Sequence, residues 1–166
     1  MAAGARRFTN ALGDHVMRTA LLSRPHATVC EDDGAPSEVY RLSAPAYPST
    51  ARIARRFVTA VLEAADRVST IENAAICVSD LVTNVVKHAR VRTLSVEVKV
   101  LTDRVVISVL DGDTVRRPRY RAAQAGQEDG RGLRLVRYLS VASGVTLVWD
   151  ELNVIGKCVW FEPRER

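Results

Sequence analysis

The chain has 166 residues, a length that favours one globular domain with room for a core that needs no disulfide or metal staples. Hydrophobic residues make up 47% and charged residues 26%, which is ordinary for a soluble protein; the 5% aromatic content points to a core of Val, Leu, Ile and Ala. The net charge is +5, but the arginines are scattered and no basic run reaches the length of a nucleic-acid-binding arm, so direct nucleic-acid binding is not expected.

Residues 1–37 read as an N-terminal extension, partly disordered, and residues 38–166 as the domain. Phe8 to Leu22 could form a short amphipathic helix, and Glu31 to Ser37 has a linker's composition. Val39–Leu42 reads as a short strand. Ser49 or Thr50 can cap a helix whose apolar stripe is Ile53, Phe57, Val61 and Leu62. Asp66 and Ser69 break the pattern. A second helix runs from about Ile71 to Ala89, capped by Ser69 or Thr70, with Ile71, Ala75, Val78, Leu81, Val82, Val85 and Val86 as its apolar set.

Leu94–Leu101 and Arg104–Leu110 follow as strands joined at Thr102-Asp103. In the first, Leu94, Val96, Val98 and Val100 alternate with Ser95, Glu97 and Lys99, the pattern of a sheet with one buried side. Asp111 to Gly130 is long and polar, a loop of a length that is functional or disordered in a compact domain. Gly132–Ala142 reads as a helix with Leu133, Val136 and Leu139 inward. Ser143–Trp149 and Val154–Phe161 read as a closing hairpin.

The cysteines are three, Cys30, Cys77 and Cys158, with no CxxC spacing, so neither a disulfide framework nor a zinc site is indicated. Cys77 and Cys158 sit in apolar runs as buried thiols, which suits a reducing cytoplasm. No apolar stretch reaches membrane-spanning length and the N-terminus lacks the apolar core of a secretory signal. A cytoplasmic protein without a membrane role is the expectation.

Four places carry candidate chemistry. Asp80 and Asn84 share one helix face, four residues apart. The Asn84 amide oxygen can ligate Mg²⁺, a hard cation that takes oxygen donors. The Asp80 carboxylate can orient or deprotonate a nucleophile, and Lys87 and His88 are close enough to meet phosphate or ribose. The same spacing also occurs on plain solvated helix faces. Asp111-Gly112-Asp113 ends a strand, where a carboxylate can accept from an exocyclic amine such as adenine's. Gly112 would let backbone approach a ligand or take a positive φ; as an isolated signal the pair is an ordinary Asp-Gly turn. Gly130-Arg131-Gly132-Leu133 runs into a helix, so its N–H groups favour a phosphate, although one Gly-x-Gly is a weak signal. Arg116, Arg117, Arg119 and Arg121 surround Pro118 and Tyr120 in a basic loop that could close over a nucleotide, meet an acidic partner, or be merely solvated.

The order is helix with Asp and Asn, strand pair, Asp-Gly, long loop, Gly-x-Gly, helix, hairpin. With Ser79–Ala89, Val109–Asp113, Asp129–Val136 and the ending Gly156–Glu162, the chain resembles the ATPases and kinases that include gyrase, the histidine kinases and the heat-shock chaperone ATPases. It looks closest to the anti-sigma-factor serine kinases. The resemblance implies an α+β, two-layer sandwich of the Bergerat type: a mixed, mostly antiparallel sheet with helices on one face and ATP beneath a mobile lid. It implies ATP and Mg²⁺ as ligands, with the metal at Asn84, adenine at Asp111, phosphates at Gly130, Arg131, Gly132 and Leu133, and the acid/base carboxylate at Asp80.

It further implies a protein serine/threonine kinase that phosphorylates an anti-anti-sigma partner and otherwise sequesters a sigma factor, with room for a homodimer. Two departures stand out. Asp80 occupies a place where such proteins usually carry Glu, which shortens the reach of a base by roughly a bond length. Asp113 stands near a second glycine's usual place, and is expected to repel phosphates or face solvent. Both bear on catalysis more than on binding, and Asp80 favours the alternative of a non-catalytic nucleotide-binding or sigma-sequestering module.

Overall fold

The computed structural model describes residues 38–114 and 131–166, with only the backbone of residues 131 and 132 described. The N-terminal extension, the linker, Cys30, the arginine-bearing loop and Gly130 lie outside the described residues. Strand β1 is Glu38–Pro45, helix α1 is Thr50–Ala64, and a 3₁₀ turn at Val68–Thr70 leads into helix α2, Ile71–His88. Strands β2, Thr93–Val100, and β3, Val105–Asp111, follow; helix α3 is Arg131–Leu139, and strands β4, Ser140–Asp150, and β5, Asn153–Pro163, close the chain.

The five strands form one sheet in the order β1-β2-β3-β5-β4. All four pairings are antiparallel, the far end of the mostly antiparallel range expected. The fold is α+β, a sheet with three helices packed on one side.

Alternation along the strands builds the main core. Val96 and Val98 of β2, Ile107 and Val109 of β3, and Val159 and Phe161 of β5 turn toward the helices. They meet Val58 and Leu62 of α1, Val78 and Val82 of α2, and Val136 of α3. Fully burying a side chain of this size stabilises by roughly 1.5–3 kcal/mol relative to leaving it exposed. The other parity of the sheet carries a second cluster, Leu101, Val106, Cys158 and Trp160. There the Trp160 indole lies across Gly144, its partner on β4; a Cβ at Gly144 would come within 2.8 Å of the ring.

Several local expectations shift. The buried stripe of α1 is Ala54, Val58, Val61 and Leu62, while Ile53 is exposed; the helix is turned so that its smaller residues approach the neighbouring elements. Neither α1 nor α2 has a side-chain N-cap. The Thr50 hydroxyl donates to the Pro45 carbonyl and the Thr70 hydroxyl to the Arg67 carbonyl, so both reach backward into the preceding turn. Helix α3 stops at Leu139 rather than Ala142, because Ser140 already pairs with Pro163 in the sheet. Glu97 and Lys99 are buried as well, so their side of β2 is not the solvated face that simple alternation predicted; Glu97 pairs with Arg41 at 2.6 Å.

Candidate functional site

Helix α2 buries Val78, Leu81, Val82 and Val85, and the 3.6-residue period leaves Asp80 and Asn84 half-buried on a flank. The Asn84 amide nitrogen donates to Oδ2 of Asp80 over 3.2 Å. Its amide oxygen is thereby turned away from the carboxylate. Burial raises the Asp80 pKa, against the lowering effects of the Asn84 hydrogen bond and the nearby Lys87 ammonium. One turn earlier, burial pushes the Cys77 thiol up to about 12, although a hydrogen bond with Ser140 lowers it; the Asp80 charge adds to the rise.

Lys87 and His88 are exposed in the last turn of α2, where positive charge complements the helix's carbonyl end. The chain then leaves the helix, and the backbone N–H of Arg90 donates to Oδ2 of Asp113 at 3.4 Å. This bond ties the end of α2 to the end of β3.

The β3 end holds a buried cluster of charge. Asp111 lies on the helix-facing parity of the sheet, in line with Ile107 and Val109, and its Cα partner on β5 is Lys157. The Lys157 ammonium is 3.0 Å from Oδ1 of Asp111 and 3.9 Å from Oδ2 of Asp113, with both carboxylates and the lysine nearly shut off from solvent. It also donates to the Asp113 carbonyl at 3.5 Å, while the Asp113 N–H donates to Oδ1 of Asp111 at 2.9 Å. Burying two carboxylates in this way requires such a cation.

Gly156 makes the approach feasible. A Cβ there would collide with the Asp111 carbonyl oxygen, so only glycine lets β5 lie against β3 at this level.

The helix with its carboxylate and amide, and the strand-end aspartate, sit in one antiparallel frame joined by the Arg90–Asp113 bond. A family model for histidine kinase-like ATPase domains matches residues 44–155. The chain belongs to this family. Its membership carries an ATP-binding function of the kinase-like ATPase type. No curated protein matches the chain.

Within this ATPase domain, Asp80 and Asn84 touch directly, as their spacing predicted. Asp111 and Gly112 end β3 as expected, but Gly112 has room for a Cβ and a φ outside the left-handed region; the glycine that geometry requires is Gly156. Arg131, Gly132 and Leu133 form the first turn of α3, with Leu133 half-buried against the main core. Asp113 does not face solvent: it is buried and bonded to Arg90 and Lys157.

Sequence reasoning missed Lys157. The available signal was its parity with Val159 and Phe161, which places a lysine on the core side of an apolar strand. A separate groove of about 750 Å³ lies elsewhere, at the other end of α2, between Glu72, Asn73, Arg134, Tyr138 and the C-terminal residues. None of the expected nucleotide-binding residues that the structure describes lines it. Among the described residues no cluster of His, Cys, Asp and Glu could hold a metal unaided, and no helix is long and apolar enough to cross a membrane.

Proposed function

We propose that this ATPase domain binds Mg-ATP and acts as an anti-sigma-type regulator, phosphorylating a serine or threonine of an anti-anti-sigma partner and otherwise holding a sigma factor. The observation that carries the nucleotide part is the Asn84–Asp80 hydrogen bond. It fixes the amide so that nitrogen serves the carboxylate and oxygen is left for a hard cation, which fits Mg²⁺. A single protein oxygen suits this ion, which keeps waters and phosphate oxygens as its other ligands.

Bound there, Mg²⁺ would neutralise charge on the β- and γ-phosphate oxygens. The remaining work falls to side chains and backbone. Asp80, its pKa raised by burial toward the working range of a general base, would orient the partner's hydroxyl and accept its proton. The first N–H groups of α3, at Arg131, Gly132 and Leu133, together with Gly130, would hold phosphate oxygens at a helix N-terminus. Lys87 and His88 would contribute at the phosphate or ribose, and Asp111, flanked by Gly112, would accept from the base.

Titration calorimetry with ATP, with and without Mg²⁺, tests this reading. Asn84→Ala is expected to remove the Mg²⁺-dependent part of the affinity. Unchanged Mg-ATP affinity would refute the metal assignment.

One observation favours a second reading, a non-catalytic module that sequesters its partner. Asp80 is short, and among the described residues the hydrogen bond that it accepts comes from Asn84 of its own helix. Labelled ATP incubated with the domain and a candidate anti-anti-sigma protein separates the two: binding without phosphoprotein supports the module.

A further inference from the structure

The base end of the nucleotide site pairs its carboxylate with a lysine, and this bears on which base the site accepts; the inference rests on the nucleotide reading above. Asp111 and Lys157 are register partners across β3 and β5, on the side of the sheet that the helices cover. The described contacts of the Asp111 carboxylate, from the Lys157 ammonium and the Asp113 N–H, both fall on Oδ1. Oδ2 receives neither. An ammonium carries three protons and no acceptor lone pair. Asp111 and the Asp113 carbonyl take two of them, at 3.0 and 3.5 Å. The pair thus holds one further acceptor, Oδ2 of Asp111, beside one further donor, the third N–H of Lys157, since Oδ2 of Asp113 at 3.9 Å is beyond hydrogen-bond distance.

A lone carboxylate reads an exocyclic amine and rejects a carbonyl, because two acceptors would face each other unpaired. Adenine offers an amine next to a ring-nitrogen acceptor on this edge. Guanine and hypoxanthine offer a carbonyl next to a ring N–H. Beside Lys157 the carbonyl finds a proton, and the ring N–H finds Oδ2. Adenine needs only the carboxylate: its amine donates to Oδ2 with or without Lys157.

We propose that Lys157 is a specificity-determining residue of the nucleotide site, and that its ammonium lets the domain take 6-oxopurine nucleotides, GTP and ITP, beside ATP. Gly156 serves the same end by letting β5 lie close enough to bring Lys157 against Asp111.

Titration calorimetry of the full chain with ATP, GTP and ITP, each with Mg²⁺, tests the proposal in wild type, Lys157→Met and Lys157→Gln, with thermal melts to confirm folding. Wild type is expected to bind GTP and ITP within about tenfold of ATP. In Lys157→Met the GTP-to-ATP affinity ratio falls by about tenfold or more, since a buried acceptor loses its proton donor. Lys157→Gln, which keeps an N–H donor, holds the ratio within about threefold.

Wild type that binds ATP but rejects GTP by more than about a hundredfold overturns the proposal and leaves the ATP reading standing. So does a ratio that Lys157→Met leaves unmoved, or one that Lys157→Gln lowers as far. Wild type that binds none of the three overturns the nucleotide reading itself. If Lys157→Met does not fold, the wild-type ratio and Lys157→Gln decide.

Discussion

The two ends of the site are built by different means. At the α2 end, Asp80 and Asn84 are brought together by helix geometry alone, half-exposed and four residues apart. At the β3 end, Asp111, Asp113 and Lys157 are brought together by strand register, buried, with the lysine 44 residues from Asp113 along the chain. Removing a member of the first pair uncovers little. Removing the cation of the second strands two carboxylates that solvent barely reaches. One end can therefore vary its chemistry with small cost to the fold, whereas at the other end the proposed recognition of the base would share its charges with the stability of the sheet.

The sharpest way to break this contrast is Lys157→Met. Taking one partner from a buried ion pair costs about 3–5 kcal/mol, so the urea midpoint should fall steeply. A change under about 1 kcal/mol would mean that the cluster is solvated in solution and the two ends are alike. Gly156→Ala comes next. Its Cβ would press on the Asp111 carbonyl, and backbone gives way poorly; overpacking of this kind costs about 1–3 kcal/mol. An unchanged melting temperature would show that β3 and β5 separate freely at this level.

At the α2 end the effects are smaller. Asn84→Ala removes one hydrogen bond at a half-exposed position and should cost about 0.5–1.5 kcal/mol, far less than its effect on Mg-ATP binding. A loss as large as that of Lys157→Met would abolish the distinction between the ends.

Asp80→Asn should act in the opposite direction. Burial raises the Asp80 pKa, so the folded state holds its proton more tightly than the unfolded chain does. The ionised carboxylate then costs stability above the folded pKa, and that cost disappears as pH falls below the ordinary aspartate range. The variant should melt slightly higher than wild type near pH 7, with the gain shrinking on acidification. A gain that grows toward acid pH would contradict the assigned direction. Least visible is Cys77. With its thiol at about 12 it carries almost no thiolate near neutrality, so peptide mapping after alkylation should find it unmodified until the domain unfolds.

Much of the frame was legible in the sequence because it depends on local periods. The apolar rhythm of Val78, Leu81, Val82 and Val85 marked α2, and placed Asp80 and Asn84 together, since three and four residues bring side chains to one face of any helix. Alternation through Leu94, Val96 and Val98 marked β2 for the same kind of reason. The order of these elements with Asp111 and the Gly-x-Gly was enough to suggest the family. What the sequence left open was whatever depends on pairing across long separations. It did not say that Asp113 is buried, that Glu97 and Lys99 are shielded, or that α3 yields to the sheet at Ser140.

It did not join Lys157 to Asp111 either. That contact exists because β5 inserts between β3 and β4 in a register that sets position 157 opposite position 111, with Gly156 admitting the close approach. Local spacing determines which residues share a face. Only the assembled sheet determines which faces meet, because register is chosen by the burial of whole strands rather than by any one residue in them.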